Sequence, residues 1–233
     1  MKLHTKVYGR GERTAVLIHG GTVDSGVWHA VAPRVAALGY TVLAPDLRGH
    51  GRSPRGRYSP EDWADDLVET LPAGADVVLG HSLGATVLGQ AVDRLRPRRA
   101  VFAEPGFEHD VKPPEYFAQR RTLLAQTTVD SVRAAHPSWT EKDAAAVAAA
   151  AARCDPAVLD AVAGLSRDRV SLIPDQAVAP SLLLVAGQGS VVRPATAQLL
   201  AGRGFEVAVL AEAGHDLHFD APDAFFGALD GWV

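Results

Sequence analysis

The sequence predicts an α/β domain: a mostly parallel sheet of about seven strands, helices on both faces, and an inserted helical segment. Three observations lead there. Short β-branched apolar runs alternate with stretches of helical periodicity along most of the chain. One strand–helix junction carries Gly80-His81-Ser82-Leu83-Gly84, a G-x-S-x-G turn. Between residues 105 and 179 no buried strand is evident, although helical patterns continue. That stretch is too long for a structureless loop inside a compact domain.

Residues 2–8 alternate weakly and are followed by Gly9-Arg10-Gly11-Glu12 and the apolar run 14–18, which predicts a hairpin feeding a buried strand. After His19-Gly20-Gly21-Thr22 an amphipathic helix is expected over 27–38, stopped by Gly39. A buried strand over 40–44 leads into the loop from Asp46 to Ser53. Ser59 then caps a helix with Pro60 at its first position and Asp62 three residues after the cap, ending near Leu71. The run 76–79 is a short buried strand, and 83–95 is a helix with Pro97 just beyond it. Residues 100–104 form the next strand.

Helices are then expected over 114–135, over 141–153 after the capping box Thr140-Glu141-Lys142-Asp143, and over 156–165 after Asp155. The alanine-rich run 144–152 favours helix. The core resumes with strands 181–186 and 205–210 and helices 194–201 and 222–232. Residues 1–104 and 180–233 are therefore read as the core, and 105–179 as a helical cap.

With 233 residues, 47% apolar and 21% charged, the chain has the composition of a globular protein with a full core. Its net charge of −4 gives no nucleic-acid or anionic-membrane signal. The single cysteine, Cys154, rules out an internal disulfide. No stretch has the length of a membrane span, and the first residues lack the apolar run of a signal peptide, so the cytoplasm is the expected location.

The chemistry centres on Ser82. Glycines on both sides allow a turn too tight for a Cβ and lift the serine hydroxyl to the strand's end, at a helix N-terminus that favours negative charge. A serine nucleophile needs a base, and the base needs an orienting group. His215, in the loop after the last strand, is the base candidate. His19, His50 and His81 are assigned structural roles in their turns. His218 could form a metal pair with His215, but no third ligand stands at metalloenzyme spacing, so no metal is expected. The backbone N–H groups of Leu83 and Gly21 are the expected oxyanion donors. No phosphate loop is completed, and no cofactor is implied.

Taken together, His19-Gly20-Gly21, the stretch Pro45-Asp46-Leu47-Arg48-Gly49-His50-Gly51-Arg52-Ser53, Gly80-His81-Ser82-Leu83-Gly84 and Gly214-His215 resemble the α/β-hydrolase family. The resemblance implies a Ser–His–acid hydrolase with a helical lid inserted after the sixth strand of the family's sheet. In that family the acid usually follows the next-to-last strand, in a pattern like G-x-x-D-x-V-x-P. Here the stretch is Gly187-Gln188-Gly189-Ser190-Val191-Val192-Arg193-Pro194, with Ser190 in the aspartate's place. A serine cannot carry the charge that stabilises an imidazolium. Glu104, at the end of the strand beside that of Ser82, is the candidate for a moved acid; Phe102-Ala103-Glu104-Pro105 resembles the corresponding stretch of some lactonases and haloalkane dehalogenases. Asp216 is sequence-adjacent to the base and is not expected to face it.

The reading is a serine hydrolase acting on a carboxylic ester or lactone of a small, fairly apolar molecule, with Trp28 and Phe107 near the pocket. Carbon–carbon bond cleavage or a lyase reaction with the same residues is the alternative. A binding protein weakened by the loss of the usual acid is a third. The oligomeric state is not readable.

Overall fold

The computed structural model describes all residues, 1–233. Its seven-stranded sheet runs in the order β1-β3-β2-β4-β5-β6-β7, from β1 (Thr5–Tyr8), β2 (Arg13–Ile18), β3 (Tyr40–Pro45), β4 (Val77–His81), β5 (Ala100–Ala103), β6 (Ser181–Ala186) and β7 (Phe205–Leu210). Only β1 is antiparallel, pairing with β3; every other neighbouring pair is parallel. The helices are α1 (Val31–Ala37), α2 (Pro60–Thr70), α3 (Leu83–Leu95), α4 (Pro114–Ala125), α5 (Val129–Ala135), α6 (Glu141–Ala151), α7 (Val158–Arg167), α8 (Pro194–Gly202), α9 (Leu217–Asp220) and α10 (Pro222–Ala228).

The strand pattern explains the two-sided core. Successive side chains of a strand point to opposite faces. In β2, Ala15 and Leu17 join Trp28, Val35 and Phe225 on one face, while Val16 and Ile18 join Trp63, Leu67 and Leu88 on the other. Strands β4 and β6 are buried along their whole length, as continuous apolar runs between two helical layers should be.

Residues 2–8 and 14–18 do not form the expected hairpin. Both edges of β2 are taken by β3 and β4, and β1 lies beyond β3 with Thr5 opposite Pro45. The intervening Gly11 instead crosses close to Gly39, where a Cβ would lie 2.0 Å from a backbone oxygen. The helix expected over 27–38 is interrupted as well. A 3₁₀ turn, Ser25–His29, capped by the Asp24 side chain, precedes α1. Pro33 accounts for the break: its ring would clash with the carbonyl of His29 in a continuous helix, but it fits the first turn of α1. The segment 114–135 divides because Thr128 forms a capping box with Ser131 and starts α5 afresh. The last helix is shorter than expected, with α9 preceding it.

Helices α4 to α7 lie between β5 and β6. One isolated bridge, Glu108 with Ser171, joins the two ends of this segment. Side-chain contacts fasten it to the sheet's surroundings, among them Arg153 to Asp24 at 2.6 Å, Tyr58 to Asp155 at 2.6 Å, and Trp139 to Asp220 at 2.8 Å.

Candidate active site

The sheet reverses its winding between β2 and β4, and parallel sheets of this kind bind ligands at that switch point, beyond the strands' carboxyl ends. Ser82 follows β4 with φ 49° and ψ −115°, a strained conformation for a non-glycine residue. Its neighbours show why the turn needs glycine. A Cβ on Gly80 would lie 2.6 Å from the backbone of Gly84 and Ala85, and one on Gly84 would lie 2.4 Å from the carbonyl oxygen of His19. The Ser82 N–H donates to the Ala103 carbonyl at 2.9 Å, tying the turn to the end of β5.

His215 Nε2 lies 2.9 Å from Ser82 Oγ, and its Nδ1 lies 3.3 Å from Glu104 Oε2. The three expected side chains thus form one line. Glu104 is fully buried and, like Ser82, has a positive φ of 49°. Burial pushes its pKa up, but hydrogen bonds from His215, the Ala186 N–H, Ser190 and the Val191 N–H outweigh that and hold it below the ordinary glutamate value. It therefore stays ionised at neutral pH. An ionised Glu104 accepts from Nδ1–H, which leaves Nε2 as the acceptor for the Ser82 hydroxyl. Burial works against a charged His215, yet the Glu104 hydrogen bond and the charges of Asp216 and Glu104 raise its pKa above the ordinary value.

Ser190 occupies the loop where an acid was missing, and it has a different task there. Its hydroxyl donates to Glu104 Oε1 at 2.6 Å, beside the Ala186 N–H at 2.7 Å, while the Val191 N–H reaches Oε2 at 2.9 Å. The loop after β6 thus holds the carboxylate that the end of β5 supplies. Asp216 lines the same cavity and acts on His215 by charge, without taking the Nδ1 hydrogen bond.

Leu83 opens α3, so its N–H has no carbonyl one turn back to accept it. Gly21 lies against it: a Cβ on Gly21 would sit 3.8 Å from that of Leu83. The histidines of the turns are buried and bonded to backbone. His19 Nε2 accepts from the Leu47 N–H at 2.9 Å and its Nδ1 faces the Gly20 carbonyl at 2.7 Å. His50 receives the Thr22 N–H at 3.3 Å, and burial lowers its pKa to about 3. His81 donates through Nε2 to the His215 carbonyl at 2.9 Å, which seats the His215 backbone. His218 packs between Trp28 and Phe219, with ring centroids 4.7 and 4.2 Å away.

Above Ser82 lies a cavity of about 610 Å³. More than half of its 31 lining residues come from the segment between β5 and β6, among them Phe117, Arg120, Trp139 and Val162. Trp28 and Phe107, expected near the pocket, do not line it. Trp28 is fully buried against His218, and Phe107 packs on Phe102 beneath the site. Both are large apolar side chains next to site loops, and sequence position alone does not say whether such a side chain turns inward.

Comparison with known proteins agrees with this architecture. The profile of the alpha/beta hydrolase family matches residues 15–228. N-formylmaleamate deformylase of Pseudomonas putida is 28% identical over 246 aligned positions, covering 98% of this chain and 91% of that protein. Pimeloyl-[acyl-carrier protein] methyl ester esterase of Yersinia enterocolitica is 31% identical over 152, covering 60% of this chain and 58% of the esterase. Among solved structures, N-formylmaleamic acid deformylase from Pseudomonas putida superposes with a TM-score of 0.81 at 25% identity, covering 97% and 95% of the two chains. The enol-lactonase from Burkholderia xenovorans, at 22% identity, shares the fold with a TM-score of 0.74 over 99% of this chain and 95% of its own. The chain belongs to the alpha/beta hydrolase family.

Proposed function

We propose that this protein hydrolyses an acyl bond of a small molecule, an ester or lactone, through an acyl-enzyme on Ser82. The observation that carries this reading is the continuous line from Ser82 through His215 to the ionised Glu104, opening on the cavity. In the first half-reaction Ser82 Oγ bonds to the substrate carbonyl carbon while its proton passes to His215 Nε2. The carbonyl oxygen takes up the electron pair and is held by the Leu83 and Gly21 N–H groups. The tetrahedral species collapses, the bond to the leaving group breaks, and the imidazolium returns its proton to that group. Water then repeats the sequence, with His215 as base, and releases the acid and the free serine. Glu104 keeps the imidazole in the required tautomer and stabilises its charged form.

The segment 105–179 is read as a cap over this site: it supplies most of the lining and shields the reacting carbonyl from water. Cleavage of an N-acyl or N-formyl bond is a second reading, favoured by the deformylase that aligns over 98% of the chain. It uses the same residues, with nitrogen as the leaving atom. The weakened-binder alternative loses its motive, since Glu104 stands where the departure at Ser190 leaves a need.

An alkyl fluorophosphonate tests the reading. Mass spectrometry should find the adduct on Ser82 alone, and Ser82→Ala should abolish both labelling and turnover of para-nitrophenyl esters. Labelling of Ser53 or Ser190 with Ser82 untouched would overturn it.

A further inference from the structure

The helical wall of the cavity holds a charge that the acyl-transfer reading does not use. Along α4, Tyr116, Phe117, Arg120 and Leu123 all line the cavity. Their spacing places them on one helix face. Arg120 sits in the middle of that stripe at the open rim of the cavity: Phe117 is buried, while Arg120 is exposed, as are Tyr116 and Leu123 on either side. It is the single Lys or Arg of the lining. Its neighbour Arg121 points away and pairs with Asp160 of α7, which does not line the cavity. Arg120 has no ion pair and no side-chain hydrogen bond of its own, Asp216 across the cavity included. Its charge nevertheless reaches the site, since it opposes protonation of His215.

A guanidinium on the rim of the cavity, with no protein anion paired to it, is open to an anion entering the site. It is a good choice for recognition, because its planar fork matches a carboxylate with two parallel hydrogen bonds. One cation balances one negative charge. A phosphate monoester would bring a second charge for which the lining holds no further Lys or Arg. We propose that Arg120 binds a carboxylate of the substrate, so that the molecules hydrolysed at Ser82 are small organic acids carrying an ester or amide a few bonds from a free carboxylate. This rests on the acyl-hydrolase reading of Ser82 and names its substrate class.

Two substrate pairs test it, one for each side of the scissile bond. On the acyl side, para-nitrophenyl hydrogen glutarate is compared with para-nitrophenyl hexanoate. On the leaving-group side, para-acetoxybenzoate is compared with phenyl acetate. The native enzyme should favour the charged member of at least one pair by roughly tenfold or more in kcat/KM, the scale of one charge-assisted hydrogen-bonded contact. Arg120→Met should erase that preference, chiefly through KM. Arg120→Lys should retain part of it, and Arg121→Met should keep it whole. In Arg120→Met the acid limb of the kcat/KM profile should also move to higher pH, because a cation opposing the protonation of His215 has gone. Equal charged-to-neutral ratios in native enzyme and Arg120→Met, in both pairs, would overturn the proposal while Ser82 labelling still stood. Absence of both fluorophosphonate labelling and turnover would instead overturn the hydrolase reading, and this inference with it.

Discussion

The two walls of the cavity are built on different principles. The sheet-side wall presents Ser82 and His215, backed by Glu104, beyond the strand ends, with two non-glycine residues at positive φ and a fully buried carboxylate held by four donors. The opposite wall is made of helices α4 to α7, where valines, leucines and aromatics are mixed with Arg120, Gln126 and His136. Backbone strain and buried charge persist only where the surroundings over-determine them, and they mark sites whose geometry must not move. None of the residues that the helical wall turns to the cavity is a buried charge or has a positive φ. Chemistry should therefore be lost abruptly by changes on the first wall, whereas changes on the second should redistribute substrates.

The largest expected effect is at the turn itself. Ser82→Ala removes the proposed nucleophile but no packing, so kcat for esters should fall by roughly 10⁴-fold or more with the melting temperature nearly unchanged. Retained turnover would remove the distinction between the walls.

Glu104→Gln should come next, with kcat lowered by roughly 10²- to 10⁴-fold, because the amide keeps the shape but cannot hold the imidazolium by charge. The pH profile sharpens this test. As the proposed base, His215 must be unprotonated, so activity should rise with pH through its pKa, which the structure raises above its ordinary value. Loss of the Glu104 charge should shift that limb toward lower pH. An unmoved limb would mean that another group sets the base.

Ser190→Ala probes the same wall one bond further out. Because serine cannot serve as the acid, its residue type alone predicts a small cost. The structure revises it: Glu104 would lose one donor but keep the Ala186 and Val191 N–H groups and His215. A loss of about tenfold in kcat is expected, the equivalent of about 1.4 kcal/mol. A loss as large as that of Glu104→Gln would give Ser190 a more direct part.

On the helical wall, Val162→Phe in α7 should shorten the cavity. The preferred acyl chain of a para-nitrophenyl ester series should become shorter, with several-fold changes in relative kcat/KM and a stability change within about 1 kcal/mol, as for a substitution at a partly exposed site. A uniform loss for all chain lengths would show that this wall also shapes the reaction.

Much of the sheet-side wall was legible in the amino-acid sequence, because its signals are local. Gly80 and Gly84 mark a turn that admits no Cβ, apolar runs mark the buried strands, and Ser59-Pro60 marks a helix start. Such patterns are read from a few neighbouring residues, although the contact that excludes a Cβ at Gly84 comes from His19, far along the chain. The position of Glu104 at a strand end next to that of Ser82 followed from sheet adjacency in the same way. The helical wall was legible only as composition. The spacing of residues 116, 117, 120 and 123 was available, but which face of α4 turns inward depends on α7 and the cavity beneath it. Tertiary structure alone decided four matters: that β1 pairs with β3 and not β2, that Trp28 and Phe107 turn into the core, that Ser190 binds Glu104, and that Arg120 faces the site without a partner. Each depends on contacts between residues far apart in the chain, where the direction of a side chain is set by what packs against it and not by its own neighbours.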